Sequence, residues 1–232
     1  MVDNGIDRLL DLLGDSDGGL ALVRRICELC VTELVVSGAG MSVMAGPLSD
    51  GTQVLLHATG EVGVRLEDLQ LTVGEGPSVD AFVSGGAVLV PDLDVEHHRW
   101  PAYAPGAAGF GVAAVFSFPL QVGAARLGVL DLYRTTPGPL DTARLSGAFA
   151  LAEAGTVVLL DDADAAQGAK LLGQGELHSA VHQATGIVTV QLEVSIQEAL
   201  IRIRAYAYAH HLPLNEVGRR IVGHELIFER EE

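Results

Sequence analysis

The sequence predicts an α+β protein, an antiparallel sheet flanked by helices and followed by a C-terminal three-helix bundle. Three observations predict it. Strand-like runs cluster in the middle of the chain with helical periodicity on either side. From Leu177 onward no strand pattern recurs, and the apolar residues fall only at helical spacing. With 232 residues (24.2 kDa), 49% of them apolar and 19% charged, the chain has enough sequence for a real core and is neither disordered nor fibrous.

The elements follow in order. Residues 1–18 read as an acidic lead with one helical turn around Ile6–Leu13. Leu20, Val23, Ile26, Cys27, Cys30, Val31 and Leu34 recur at helical spacing and predict a helix over about 19–36. The period then changes. SGAGMSVMAG and DGTQVLLHATG are β-type runs joined by the hairpin chemistry of Pro47-Leu48-Ser49-Asp50. Two short helices are expected at 62–69 and 77–84, broken by Gly74-Glu75-Gly76-Pro77. AVLVPDL is a further strand. A loop around Trp100 leads to two more, VAAVFSFPLQV and RLGVLDLYR, linked by Gly123-Ala124-Ala125. Helix returns from Leu140 to about Leu160, and residues 161–176 have the composition of a helical connector.

In the last quarter, Leu177, Val181, Ala184, Val188 and Leu192 line one helical face. Ser195-Ile-Gln-Glu198 has the form of a capping box opening a second helix, which is expected to bury Ile196, Leu200, Ile203, Ala207 and His210. Pro213 can begin a third helix because a first-turn residue needs no amide partner. Leu214, Val217, Ile221 and Val222 form its apolar stripe, closed by Gly223.

The net charge of −16 argues against coating nucleic acid by bulk electrostatics, since phosphate contacts need clustered positive charge. The deficit is unevenly spread. Residues 177–232 hold five arginines against seven acids, a net of −2, whereas residues 1–176 carry nine bases against 23 acids, a net of −14. Two cysteines are no disulfide framework and suit a reducing cytoplasm. The N-terminus lacks a basic region and is not a signal peptide. Residues 100–125 carry no charge, but Pro101, Pro105 and Pro119 break any spanning helix. A cytoplasmic, soluble protein with no membrane partner is expected.

AVHQATGIVTVQLEVSIQEALIRIRAYAYAHHLPLNEVGRRIVG resembles an ANTAR domain, the three-helix RNA-binding module of bacterial transcription antiterminators. The resemblance rests on Ala184-x-Gly186-Ile187, on Ser195 followed by Ala199, Leu200 and Arg202, on Ala205, and on Leu212-Pro213-Leu214-x-x-Val217. Upstream, LTVGEGPSVDAF, RWPAY and FSFPLQVGAARLGVLDLYR resemble GAF sensor domains as found in actinobacterial GAF–ANTAR proteins. Two positions depart from the pattern: Thr185 stands where the first ANTAR helix usually has lysine, and Ser78 where GAF relatives often carry cysteine. The resemblance implies a GAF-like sensor at 19–160, a connector at 161–176, an ANTAR-like bundle at 177–223 and an acidic tail at 224–232.

The candidate RNA-binding residues are Arg202, Arg204, Tyr208, His211, Arg219 and Arg220. Gln197, Ile201, Arg204, Tyr208 and His211 share one face of the second helix, a mixture suited to unpaired bases that stack on aromatics and guanidinium planes. A solvated or dimer-contacting face is the plainer alternative. Trp100, Tyr103, Phe116 and Phe118 are candidates for lining a sensor pocket and could equally be sheet core. Cys27 and Cys30 lie well inside a helix, where core packing outweighs redox chemistry. His178 and His182 are spaced i, i+4 without completing a metal set, and Asp92, Asp94 and Glu96 lack the pattern of a calcium loop.

No catalytic constellation emerges, and neither a cofactor nor a metal is called for; the GAF resemblance implies an unidentified small-molecule ligand. The resemblance as a whole implies a non-catalytic, signal-responsive antitermination regulator. It would act as a homodimer on leader-RNA hairpins, with no duplex DNA as partner. Two alternatives come from other classes. One is a DNA-binding regulator using the second and third bundle helices, the other a redox protein on the GAF scaffold. Glu216 near the start of the last helix opposes phosphate approach in the first. Neither thiol has an activating environment for the second.

Overall fold

The computed structural model describes residues 18–44, 53–164, 176–210 and 212–229. The turn at Ile6–Leu13, the hairpin turn Pro47-Leu48-Ser49-Asp50, connector residues 165–175, His211 and residues 230–232 lie outside them. Helix α1 (Gly19–Glu33) precedes β1 (Gly38–Met44) and β2 (Gln53–Ala58). Then come α2 (Gly60–Val73), α3 (Pro77–Ser84), β3 (Val88–Val90), a 3-10 turn (Leu93–Glu96) and α4 (Tyr103–Gly109). The hairpin β4 (Ala114–Val122) and β5 (Ala125–Arg134) leads into α5 (Thr142–Asp164). Helices α6 (Glu176–Leu192), α7 (Ile196–Ala209) and α8 (Leu214–Val222) complete the described chain.

The five strands form one antiparallel sheet in the order β2-β1-β5-β4-β3. Val122 pairs with Ala125, so Gly123-Ala124 makes a two-residue turn. Gly123 supplies the positive φ of 58° that a II′ hairpin requires at its first position. Central strand β5 is buried on both faces. Leu130 and Leu132 pack under α1 and α5 with Ile26, Cys27, Cys30, Phe116, Phe118 and Leu151. Val129 and Tyr133 face the other way, into a second core with Leu66, Phe82, Trp100 and Tyr103 from the α2–α4 side. The strand is therefore almost continuously apolar, as strands covered on both faces are.

Two elements differ from the sequence reading, and a third bears on the question of a membrane span. Helix α2 runs on to Val73, beyond the expected 69, because its stop signal is Gly74, which takes a left-handed conformation (φ 72°) and donates its N–H to Gln70 O at 2.9 Å. The expected loop around Trp100 contains α4, in which Pro105 falls within the first turn and removes no helical hydrogen bond. Helix α5 is apolar and long enough to cross a membrane by length and composition, with mean hydropathy 1.4 over Thr142–Asp161. Half of that stretch is buried, Ala148, Leu151, Ala152 and Leu159 packing into the sheet core.

The C-terminal helices pack as three around Val181, Ala184, Val188, Leu200, Ile203, Leu214, Val217 and Ile221. Gly218 lets α8 approach α6, since an added Cβ there would lie 3.0 Å from the backbone of Ala180 and Val181. Ile196 is 56% exposed and His210 is also exposed, so neither belongs to the core as expected; Ala199 takes the place of Ile196. The capping box is half formed. Glu198 N–H donates to Ser195 Oγ at 3.1 Å, but the Glu198 carboxylate pairs with Arg202 at 2.9 Å instead of returning to the cap.

Candidate functional site

The α2 side of the sheet holds a buried polar cluster that the sequence reading did not single out. Along α2, the inward residues Gly63, Leu66, Glu67 and Gln70 line a small cavity with Gly40, Tyr103, Val115 and Asp131. Helical spacing puts these α2 residues on one side. Asp131 reaches the cavity because it alternates with Leu130 and Leu132 on β5.

Ser42 Oγ and Gln53 Nε2 both donate to Glu67 Oε2, at 2.8 and 2.9 Å. Ser117 Oγ donates to Asp131 Oδ1. Asp131 Oδ2 and Tyr103 OH are buried with no hydrogen-bond partner in the protein. Burial, and then the neighbouring Asp131 charge, hold the Glu67 carboxyl well above the usual carboxylate range. Burial raises Asp131 as well. Two carboxyls sharing one dry site cannot both ionise cheaply, so the arrangement favours retaining a proton.

The neighbouring turn is wired into the same cluster. Gln70 grips Ser78, donating from Nε2 to Ser78 Oγ at 2.5 Å and accepting Ser78 N–H at 2.9 Å. Glu75 Oε1 accepts the N–H groups of Ala102 and Tyr103, at 2.7 and 3.0 Å, and so satisfies the start of α4. The Gly74-Glu75-Gly76-Pro77 turn thus ties α2 to both α3 and α4.

The four pocket candidates do not share a cavity. Phe116 and Phe118 belong to the core under α1 and α5, on the opposite face of the sheet from Trp100 and Tyr103. Of the four only Tyr103 lines the cavity, whose volume of about 10 Å³ matches a single water site. Cys27 and Cys30 are fully buried in α1, and burial pushes the Cys27 thiol up to about 12. Asp92 Oδ1 accepts Asp94 N–H and caps the 3-10 turn. Among the described residues no group of three His, Cys, Asp or Glu side chains could hold a metal ion.

On the bundle, Ile201 (56% exposed) and Tyr208 (59%) lie on one side of α7. Arg204 falls between them but is half-buried. Its Nε donates to Leu71 O at 2.9 Å, and its guanidinium packs on Gly74. Burial lowers its pKa. Arg202, two residues away, points roughly 200° around the helix from Arg204 and pairs with Glu198. Arg219 and Arg220 both bind Glu216 at 2.9 Å, which holds that exposed carboxyl below its usual range, Arg220 first. Thr185 is buried, its hydroxyl donating to Val181 O at 2.8 Å. His211 lies outside the described residues.

A second contact joins the bundle to α2, from Asn215 Nδ2 to Asp68 Oδ1 at 2.9 Å. Leu71, on the outward side of α2, is 2% exposed and packs among the apolar residues of the bundle. Adjoining faces of one helix therefore carry the buried carboxyl cluster and the seat of the bundle.

Residues 20–160 match the family model described as GAF domain. The GAF domain of a phosphoenolpyruvate-protein phosphotransferase from Acinetobacter is 12% identical with a TM-score of 0.55, covering 71% of this chain and 96% of that one. The corresponding domain from Coxiella burnetii is 12% identical with a TM-score of 0.54, covering 70% and 95%. A Burkholderia vietnamiensis chain described as a GAF sensor protein is 16% identical with a TM-score of 0.52, covering 70% and 96%. No match was found among curated proteins. At these identities the structural neighbours speak for the fold, and the family match ends before α6.

Proposed function

The chain belongs to the GAF domain family, and on that premise we propose that it is a signal-responsive RNA-binding regulator of transcription antitermination. In this reading the GAF domain senses a small molecule and controls the three-helix bundle, which acts as an ANTAR-like domain on leader-RNA hairpins. The observation that carries the reading is the α7 stripe. Gln197, Ile201, Arg204 and Tyr208 lie outside the bundle core, with Ile201 and Tyr208 presented to solvent. An exposed ring on a helix that also carries an arginine one turn away suits a splayed-out base better than a duplex groove.

Duplex DNA fits less well. Both α8 arginines are held by Glu216 in the first turn, where a recognition helix would meet phosphates. The reading takes the protein as cytoplasmic, non-catalytic and homodimeric. Exposed Phe149, Val157 and Leu160 along α5 are consistent with a paired helix. The test is the affinity of the full chain for a two-hairpin leader RNA, compared with duplex DNA at the same salt. Tyr208→Ala is expected to weaken RNA binding by roughly 5- to 150-fold, the range of one lost base stack of about 1–3 kcal/mol. Equal affinity for duplex DNA, or full affinity in the variant, defeats the reading.

A further inference from the structure

Helix α2 has two adjoining working faces. Glu67 and Gln70 face the sensor interior, while Asp68 and Leu71 face the bundle. A helix this short moves as a rigid unit, so a displacement at Glu67 or Gln70 is felt one residue later at Asp68 and Leu71. The C-terminal end of α2 is also the seat of Arg204. The last carbonyls of a helix have no partner within it and carry the negative end of its dipole. Arg204 fills one of these vacancies at Leu71 O, from another part of the chain.

We propose that the outer side of α2 is an autoinhibitory clasp. It holds the bundle in a docked state that withholds Arg204 from RNA, and displacement of α2 from its sensor side releases it. The inference rests on the RNA-binding reading of the α7 stripe and adds how that stripe is regulated. Three further observations support it.

The docked guanidinium offers less to a base, because its Nε is committed to Leu71 O and it packs close to Gly74. Docking also places the bundle against a sensor whose sequence is rich in acids, a field that opposes phosphate approach. Finally, the seat is incompletely satisfied. Asn215 donates to Asp68, but its own Oδ1 is buried without a partner. Such an orphan weakens docking and leaves undocking within reach of a ligand.

The experiment uses the full chain with one opened and one clamped form. Leu71→Asp places a charge in the apolar seat and opens the clasp. In the clamped form, Asp68→Cys and Asn215→Cys are bridged by a short bis-maleimide, the native Cys27 and Cys30 being buried. The opened form is expected to bind a two-hairpin leader RNA at least tenfold more tightly than the unmodified chain. Bridging is expected to weaken the clamped form at least tenfold relative to the same variant unbridged. Clamped RNA binding equal to unclamped overturns the proposal.

Amide hydrogen exchange reads the clasp without RNA. Gln70→Ala, a change inside the sensor, is expected to raise exchange across 196–209 tenfold or more relative to α1. Unchanged exchange there overturns the coupling whatever RNA does. If no form binds RNA while exchange across 196–209 does respond, it is the RNA-binding reading that fails and the clasp that stands.

Discussion

Replacing Glu67 with glutamine tests the buried carboxyl pair, because the side chain of the variant copies a protonated glutamic acid. An amide oxygen in the place of Oε2 keeps both bonds donated by Ser42 and Gln53. The NH2 group then takes the place of Oε1 beside Gly40 and can donate toward Asp131, as a carboxyl proton would. Since the folded chain holds the Glu67 proton more tightly than an unfolded one, the pair stabilises the fold fully below the ordinary carboxylate pKa of about 4.3. That contribution is lost as pH rises through the raised folded value, and each tenfold gain in proton affinity on folding is worth about 1.4 kcal/mol. Glu67→Gln removes one partner of this titration. Its unfolding temperature is expected to lie within a few degrees of the unmodified chain at pH 5, and to fall less between pH 5 and 8. Glu67→Ala leaves two buried donors unpaired, at about 1–3 kcal/mol each, and opens a void. The resulting loss of roughly 3–5 kcal/mol is worth on the order of 10 °C for a chain of this size. Calorimetry across pH 5–8 reads all three proteins. An unchanged pH slope in Glu67→Gln, or a loss as large as that of Glu67→Ala at pH 5, refutes the shared-proton arrangement.

Two other outcomes are expected. Cys27 and Cys30 are fully buried and the Cys27 thiol is raised to about 12, so a maleimide should label neither in the native state at pH 7.5 and both in denaturant; fast native labelling would show α1 to be packed differently. Gly218→Ala gains about 1 kcal/mol in helix propensity but drives a methyl to 3.0 Å from the Ala180–Val181 backbone, so overpacking of about 1–3 kcal/mol wins and the bundle loses stability in urea unfolding; a stabilised variant would mean that α6 and α8 separate without cost.

The helices and strands were largely legible because period and punctuation agree in this chain. Gly74-Glu75-Gly76-Pro77 separates α2 from α3, and a short, mostly apolar run after the Gly123 turn marks β5. What escaped was anything fixed by tertiary pairing. Glu67 sits in a helix where an acid usually means a solvated face, and only its register with Gly63, Leu66 and Gln70 hints at burial. Asp131 gave a stronger signal, an acid at an alternating position in a strand otherwise apolar, yet its partner lies 64 residues away in sequence on another element. The four aromatic residues, open in sequence between pocket and sheet core, show a related limit. Phe116 and Phe118 read as neighbours of Trp100 and Tyr103 in sequence, but a sheet covered on both sides sends them to different cores.

The arginines of the bundle bring the charge and the docking together. Each of Arg202, Arg204, Arg219 and Arg220 has a partner: Glu198 for the first, Glu216 for the last two, and the Leu71 carbonyl for Arg204. Three of these are partly exposed ion pairs, each within its own helix and worth about 0–1 kcal/mol, so exchanging their glutamates for another anion would cost little. Arg204 is different. Its partner is a neutral carbonyl on the sensor, and freeing the guanidinium means separating Leu71 from the apolar residues of the bundle as well. A chain of net charge −16 has little long-range attraction for RNA, so the proposed recognition would fall to a few residues at close range. Of those residues the one whose availability depends on the sensor is Arg204. In the proposed reading, occupancy of α2 by the bundle, more than total charge, therefore sets whether the α7 stripe is offered to RNA.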